Sequence, residues 1–109
     1  MPELDPVIHA QGRLRALVTL ATLLPGDRLT FPRMQELLDM TAGNLLTHLR
    51  KLEEADYVDV RKRSRGRSSV TSIAITPHGR SALEGYRIGL RQLLDDVPQA
   101  DEAPSSTAS

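Results

Sequence analysis

The residues with the clearest chemical potential are five basic side chains within seven consecutive positions. They are Arg61, Lys62, Arg63, Arg65 and Arg67, and no acidic residue interrupts them. Guanidinium and ammonium groups at this density bind phosphate oxygens, and the release of condensed counterions supplies much of the affinity. Solvated surface loops also carry such runs, so the run alone leaves a nucleic-acid contact and an ordinary charged loop open.

A second set of polar side chains lies on a helix predicted just before this run, at about residues 42–55. Leu45, Leu49 and Leu52 recur at the spacing of one helix face and are expected to point inward. The opposite side lacks acidic residues over three turns, and it shows Gly43, Asn44, Thr47, Arg50 and Lys51. Asn pairs with adenine edges, while Arg and Lys pair with guanine edges or phosphates. The pattern favours entry of this helix into a major groove.

Histidine and carboxylate side chains are the remaining candidate metal ligands, because the chain has no Cys. His48 lies at the edge of the polar side, and both a DNA contact and a structural position stay open for it. His9 and His78 lack the paired spacing of a metal site and are expected at the surface or at caps. Thiolate sites and disulfides are excluded. We expect no metal, no cofactor and no enzyme, since neither a Ser/His/Asp arrangement nor a phosphate-binding Gly loop is present.

Composition predicts one soluble domain. The 109 residues are 39% hydrophobic and 26% charged, with a net charge of zero. The neutral total hides an acidic end, whose members are Asp95, Asp96, Asp101 and Glu102. We expect residues 5–96 to form the domain and 97–109 a disordered tail, which is more readily explained by solubility than by shielding of the basic run. With no signal peptide and no membrane-spanning run, the expected location is cytoplasmic.

The elements that must position these side chains follow from periodicity and capping residues. Asp5-Pro6 and Thr76-Pro77 are helix starts, and Thr41 is the N-cap of the polar helix. The predicted order is a helix from Asp5 to Pro25, an extended segment at 29–31, helices at 32–40 and 42–55, strands at 57–60 and 70–75 joined by a basic loop at 61–69, and a last helix from Pro77. This order is that of a winged helix-turn-helix, a mainly α fold with a small β-hairpin (α+β).

The run from Thr41 to Val58 resembles the recognition helix of small winged-helix transcriptional regulators. Its pattern, T-x-G-N-L-x-x-H-L-x-x-L-E-x-x-x-Y-V, is similar to the stand-alone group related to the MarR and ArsR repressors. Supporting segments are 13–17 in the first helix and 75–80 at the start of the last. One departure is Asp56, where family members commonly have Gly in a left-handed turn. Because Asp tolerates that conformation, we expect slight strain and no change of fold.

The resemblance implies a homodimer, joined through its first and last helices, on a pseudo-palindromic operator in double-stranded DNA. The groove-facing candidates are Thr41, Gly43, Asn44, Thr47, His48, Arg50 and Lys51. The wing candidates, which would reach backbone or minor groove, are Arg61, Lys62, Arg63, Arg65 and Arg67. The dimerisation candidates are Leu14, Leu83, Tyr86, Leu90, Leu93 and Leu94, although Tyr86 also suits the core of a single chain.

The expected function is therefore a dimeric, sequence-specific DNA-binding transcriptional regulator. Repression is favoured, because an occupied operator blocks polymerase and no activation domain is recognised. A small-molecule effector would have to bind between subunits and is not identified by any residue. The alternative is a winged helix that binds another protein instead of DNA, which Leu46 on the polar helix supports.

Overall fold

The computed structural model describes residues 3–96. In this range the elements are α1 Gln11–Ala21, β1 Leu29–Thr30, α2 Phe31–Leu38, α3 Ala42–Glu54, β2 Val58–Arg65, β3 Ser68–Ile75 and α4 Pro77–Asp96. The strands form one antiparallel sheet in the order β1-β3-β2. The predicted winged helix-turn-helix is confirmed, and the predicted disordered tail at 97–109 lies outside the described residues.

The core forms where α1, α3 and the sheet meet. Leu45, Leu49 and Leu52 of α3 are buried, as their spacing predicts. Leu17 of α1 and Ile73 of β3 are fully buried in the same cluster. Because aliphatic burial of this kind stabilises by about 1.5–3 kcal/mol per side chain, α3 is held firmly by one face while its other face stays open.

The first helix begins later than its capping signal predicts. Asp5 does cap a turn, since its Oδ1 accepts from the Val7 amide at 2.9 Å. The extended backbone of Ala10, with ψ of 128°, ends that turn, and α1 starts at Gln11. Arg13 holds the turn against the helix by donating from Nε to the Val7 carbonyl at 2.6 Å. The predicted start at Asp5 is thus wrong, because the cap serves a single separate turn.

A tight turn joins α2 to α3 and sets the helix-turn-helix angle. Asp39 adopts the left-handed region at φ 53°, which ends α2 two residues before the predicted position. The hydroxyl of Thr41 accepts from the Asn44 amide at 3.1 Å, so the predicted N-cap is confirmed. Arg15 of α1 donates to the Leu38 carbonyl at 2.9 Å. This guanidinium satisfies an orphan carbonyl of α2 and fixes the turn to α1.

The wing is a longer hairpin than predicted. Strands β2 and β3 pair continuously from Val58 with Ile75 to Arg65 with Ser68. The loop predicted over 61–69 is therefore wrong, and only Gly66 and Arg67 form the turn. Gly66 has φ of 57°, which suits the two-residue loops that match the twist of paired strands. The basic side chains did not prevent pairing, because strand side chains point away from the ladder.

A second junction brings the end of α3 against the start of α4. Asp56 has φ of 62°, so the left-handed turn expected there is confirmed. The hydroxyl of Thr76 donates to the Asp56 carbonyl at 2.7 Å and accepts from the Gly79 amide at 2.9 Å. One side chain thus caps α4 and ties it to the end of α3.

Tyr57 links this junction to the amino-terminal turn. Its phenol donates to the Asp5 carboxylate, and the ring lies against His78 at a centroid distance of 5.2 Å. The hydrogen bond to Asp5, together with burial and the negative charge of Asp5, raises the pKa of Tyr57 to about 12. The phenol is therefore held in its protonated form.

Replacing Tyr57 by Phe is expected to lower the free energy of unfolding at neutral pH by about 1.5–3 kcal/mol, the range for hydrogen bonds to charged groups. The difference in unfolding free energy between the wild type and the variant should vanish at strongly alkaline pH. The bond contributes fully below the unfolded pKa of 10.0, and this contribution is lost as the pH rises through the folded value of about 12. Urea unfolding of the wild type and the variant at a series of pH values measures this loss of stability. A difference that stays constant with pH would contradict the Tyr57–Asp5 bond.

Candidate nucleic-acid interface

The open face of α3 carries the polar side chains that the sequence singles out. Thr41, Gly43, Asn44, Thr47, Arg50 and Lys51 are all exposed. The Thr47 hydroxyl donates to the Gly43 carbonyl at 3.0 Å, so its oxygen faces solvent mainly as an acceptor. The face therefore offers an amide, a hydroxyl oxygen and two cations over about two helical turns.

Charge along α3 is graded from one end to the other. Its first turn has no acidic residue, and Arg50 and Lys51 follow in the third turn. Glu53 and Glu54 come only at the carboxyl end, where both are exposed. The amino end of the helix dipole also attracts anions modestly. An approaching phosphodiester is thus attracted to the first three turns and repelled from the last.

His48 does not lie on the open face. Its imidazole packs over Gly12 of α1, where a Cβ at position 12 would lie only 2.3 Å from Nε2. Burial and the charge of Arg13 lower the pKa of His48, and Nδ1 is buried without a hydrogen-bond partner among the described residues. This placement supports the structural role and argues against the expected groove contact.

The basic run is divided between two faces of the hairpin. Alternation along β2 puts Arg61 and Arg63 on the outer face with Asp59, whereas Lys62 lies on the face that continues into the core through Val60. Arg67 is exposed in the turn, and Arg65 occupies the last rung, paired with Ser68. Arg61, Lys62 and Arg63 therefore do not belong to the single cationic tip that the predicted loop implied.

Arg28 anchors the base of the wing, and sequence reasoning missed it. Its guanidinium donates to the Asp59 carboxylate at 2.8 Å and the Asp59 carbonyl at 3.0 Å. It also donates to the hydroxyl of Ser72 at 2.8 Å and to its carbonyl at 2.9 Å. Arg61 shares the same carboxylate oxygen at 3.0 Å. These partners are 31 and 44 residues away from Arg28, so no local pattern could have indicated the network.

The dimerisation candidates are divided as well. Tyr86 is buried within the chain, and its hydroxyl lies 3.0 Å from His9 Nδ1, so it belongs to the core. Three of the others pack against the core while partly exposed, namely Leu14, Leu83 and Leu90. Leu93 is half-buried and Leu94 is 60% exposed. The exposed apolar surface near them includes Val18 and Ile88, which the sequence analysis did not select.

The described part of the chain lacks two further features. Residues 3–96 contain no group of three or more His, Asp or Glu side chains arranged to hold a metal ion. No helix among them combines the length and apolar character needed to cross a bilayer.

Known proteins share both the sequence pattern and the fold. A family model described as a winged helix DNA-binding domain matches residues 13–94. An uncharacterized protein of Methanocaldococcus jannaschii is 36% identical over 78 residues, which span 72% of this chain and 85% of the relative. The structure of a transcriptional regulator homologue from Pyrococcus horikoshii OT3 matches with a TM-score of 0.70 and 28% identity, over 82% of this chain and 85% of that one.

A more distant structure shows the fold alone. It is a mutant of E. coli MarR complexed with operator DNA, with a TM-score of 0.59 and 16% identity over 79% of this chain and 58% of that chain. The open face of α3, the basic wing and these matches agree with one another. This chain belongs to the winged helix DNA-binding domain family.

Proposed function

We propose that the protein is a dimeric, sequence-specific repressor that reads an operator through α3. The observation that carries the proposal is an acid-free, exposed face over the first three turns of α3, beside a basic two-stranded wing. A helix with this face fits the major groove, and the wing extends the contact along the duplex.

Two kinds of contact are assigned to different residues. Asn44 and Thr47 present an amide and a hydroxyl oxygen near the amino end of α3, where base edges are read. Arg50 and Lys51 contact guanine edges or phosphates. Lys62 and Arg67 of the wing contact the phosphodiester backbone, which contributes affinity without sequence preference.

A second copy of the chain supplies the second half-site. Val18 on α1 and both Ile88 and Leu94 on α4 are exposed, and apolar surface of this kind gains free energy when a partner covers it. These two helices also carry the half-buried members of the predicted dimer set. A two-fold dimer would present two α3 helices to a pseudo-palindromic operator, and its occupancy would block polymerase.

The composition of the open face disfavours the alternative, in which the winged helix binds another protein instead of DNA. Leu46 is 44% exposed on α3, but the residues beside it on the open face are polar or charged. A protein-docking surface needs a larger contiguous apolar patch.

A titration of the protein tests the proposal directly. The protein is added to a duplex from the region upstream of its own gene and to a scrambled duplex, each at two salt concentrations. Tighter binding to the upstream duplex, with salt sensitivity on both, is expected for a sequence-reading repressor of its own gene. Absence of binding to either duplex at low salt would overturn the proposal.

Two substitutions should distinguish recognition of base edges from contact with the DNA backbone. Asn44→Ala is expected to reduce the preference for the cognate duplex by about 1–3 kcal/mol, because a base contact is lost. Arg67→Ala should weaken cognate and scrambled duplexes equally and flatten the salt slope by about one unit, because a phosphate contact is lost. Fluorescence anisotropy at several salt concentrations measures both. If the two variants behave alike, the assigned division of roles is incorrect.

A further inference from the structure

A groove lies on the outer face of the wing, on the side of the sheet away from the core. It has a volume of about 410 Å³ and is lined by Arg28, Arg61, Arg63, Val70 and Ser72. The register explains the grouping, because Arg61 pairs with Ser72 and Arg63 pairs with Val70 across β2 and β3. The sheet thus brings together three guanidinium groups that are separated by up to 35 positions in the chain.

The groove has an excess of positive charge. Asp59 is the carboxylate shared by Arg28 and Arg61, so one negative charge faces three positive ones. The guanidinium group of Arg63 forms no hydrogen bond or ion pair with another residue of the described chain. The excess of two charges suits a phosphate group, which carries one negative charge as a diester and up to two as a monoester.

The donors of the groove are also oriented. Arg28 is held by four hydrogen bonds and keeps its position without a ligand. The Ser72 oxygen accepts from Arg28 Nε, which leaves the hydroxyl proton available to a ligand. Arg61 and Arg63 are two residues apart on one strand, about 6.6 Å, so both guanidinium groups can reach a single small anion.

We propose that this groove is a binding site for a phosphate group. Guanidinium forks match phosphate oxygens in pairs, and Arg is preferred where such planar recognition matters. The phosphate can come from a small phosphorylated molecule or from the backbone of the bound duplex. The second source rests on the proposed function, whereas the first is independent of it.

Titration of the full chain with inorganic phosphate and pyrophosphate, without DNA, tests the site. Amide chemical shifts in nitrogen–proton spectra are followed in wild type and in two matched variants. Arg63→Gln removes a charge inside the groove, and Lys62→Gln removes one from the opposite face of the same strand. We expect saturable shifts confined to the groove, with a Kd of about 1 mM, weakened about tenfold by Arg63→Gln alone. Linear, unsaturated shifts, or equal weakening in both variants, would overturn the site.

The same variants, bound to a scrambled duplex, identify the source of the phosphate. Unchanged duplex affinity in Arg63→Gln supports a site for a small phosphorylated molecule. Parallel loss of phosphate and duplex affinity, with phosphate competing against the duplex at the groove, supports a backbone phosphate. The phosphate titration contains no DNA and therefore tests the groove independently of duplex binding. If the protein fails to bind the duplex, the proposed function is contradicted, while the phosphate titration still decides whether the groove binds phosphate.

Discussion

Replacement of Gly79 by Ala is expected to lower the free energy of unfolding by about 2–3 kcal/mol, near the upper end of the usual cost of overpacking. An ideal Cβ at this position would lie 2.1 Å from the carbonyl oxygen of Tyr57 and 2.9 Å from its carbon. The carbonyl cannot turn away cheaply, because it accepts from the Thr76 amide at 3.0 Å. The first turn of α4 therefore has to move away from the end of α3.

Gly85 provides the matched control on the same helix. An added Cβ there meets nothing within 4 Å, and the residue is exposed. Gly85→Ala is thus expected to stabilise the protein by about 0.5–1 kcal/mol through the better helix propensity of Ala. Urea unfolding of the two variants should give changes of opposite sign. Stabilisation by both substitutions would show that α4 does not approach Tyr57 as closely as described.

Reversal of the charge at Arg50 is expected to weaken duplex binding by about 1–3 kcal/mol for each α3 helix in the complex, the range for a good contact to a base. The Arg50 side chain is exposed in the third turn of α3, before Glu53 and Glu54. A Glu at this position would extend the acidic end of the helix into the face assigned to the groove, and repulsion of phosphates adds to the lost contact.

Arg91→Glu makes the same charge change on α4, where Arg91 is exposed, and sedimentation velocity checks that this variant keeps the oligomeric state of the wild type. We expect it to change duplex affinity much less than Arg50→Glu. Anisotropy titrations at constant salt give the affinities, and circular dichroism melting checks that both variants fold. Equal weakening by the two variants would show that net charge, and not the α3 face, determines binding.

Local sequence was sufficient for α3 and its flanks. The spacing of Leu45, Leu49 and Leu52 identified the buried face, and Thr41 identified the start of the helix. The left-handed turn at Asp56 followed from the resemblance to winged-helix regulators. These features depend on helix periodicity, a cap and a single backbone dihedral, all of which are encoded within a few residues.

The wing was only partly predictable. Alternation identified the inner ends of both strands, but it gave no sign that Arg61 and Arg63 continue the ladder toward the turn. The run from Arg61 to Ser69 lacks an apolar alternation and has Gly66 near its centre, which is the pattern of a loop. Pairing with β3 overrides that pattern, because the partner strand satisfies the backbone of each residue on the ladder.

By itself, the sequence determined the order of the elements, the inward face of α3 and the type of surface opposite it, because these depend on neighbouring residues. Only the tertiary structure decided which distant groups meet. It placed His48 against Gly12, Tyr86 in the core and Arg28 across the base of the wing. These contacts join residues 31 to 77 positions apart. They stabilise the protein only once the chain has folded and brought those residues together, so no local sequence pattern could predict them.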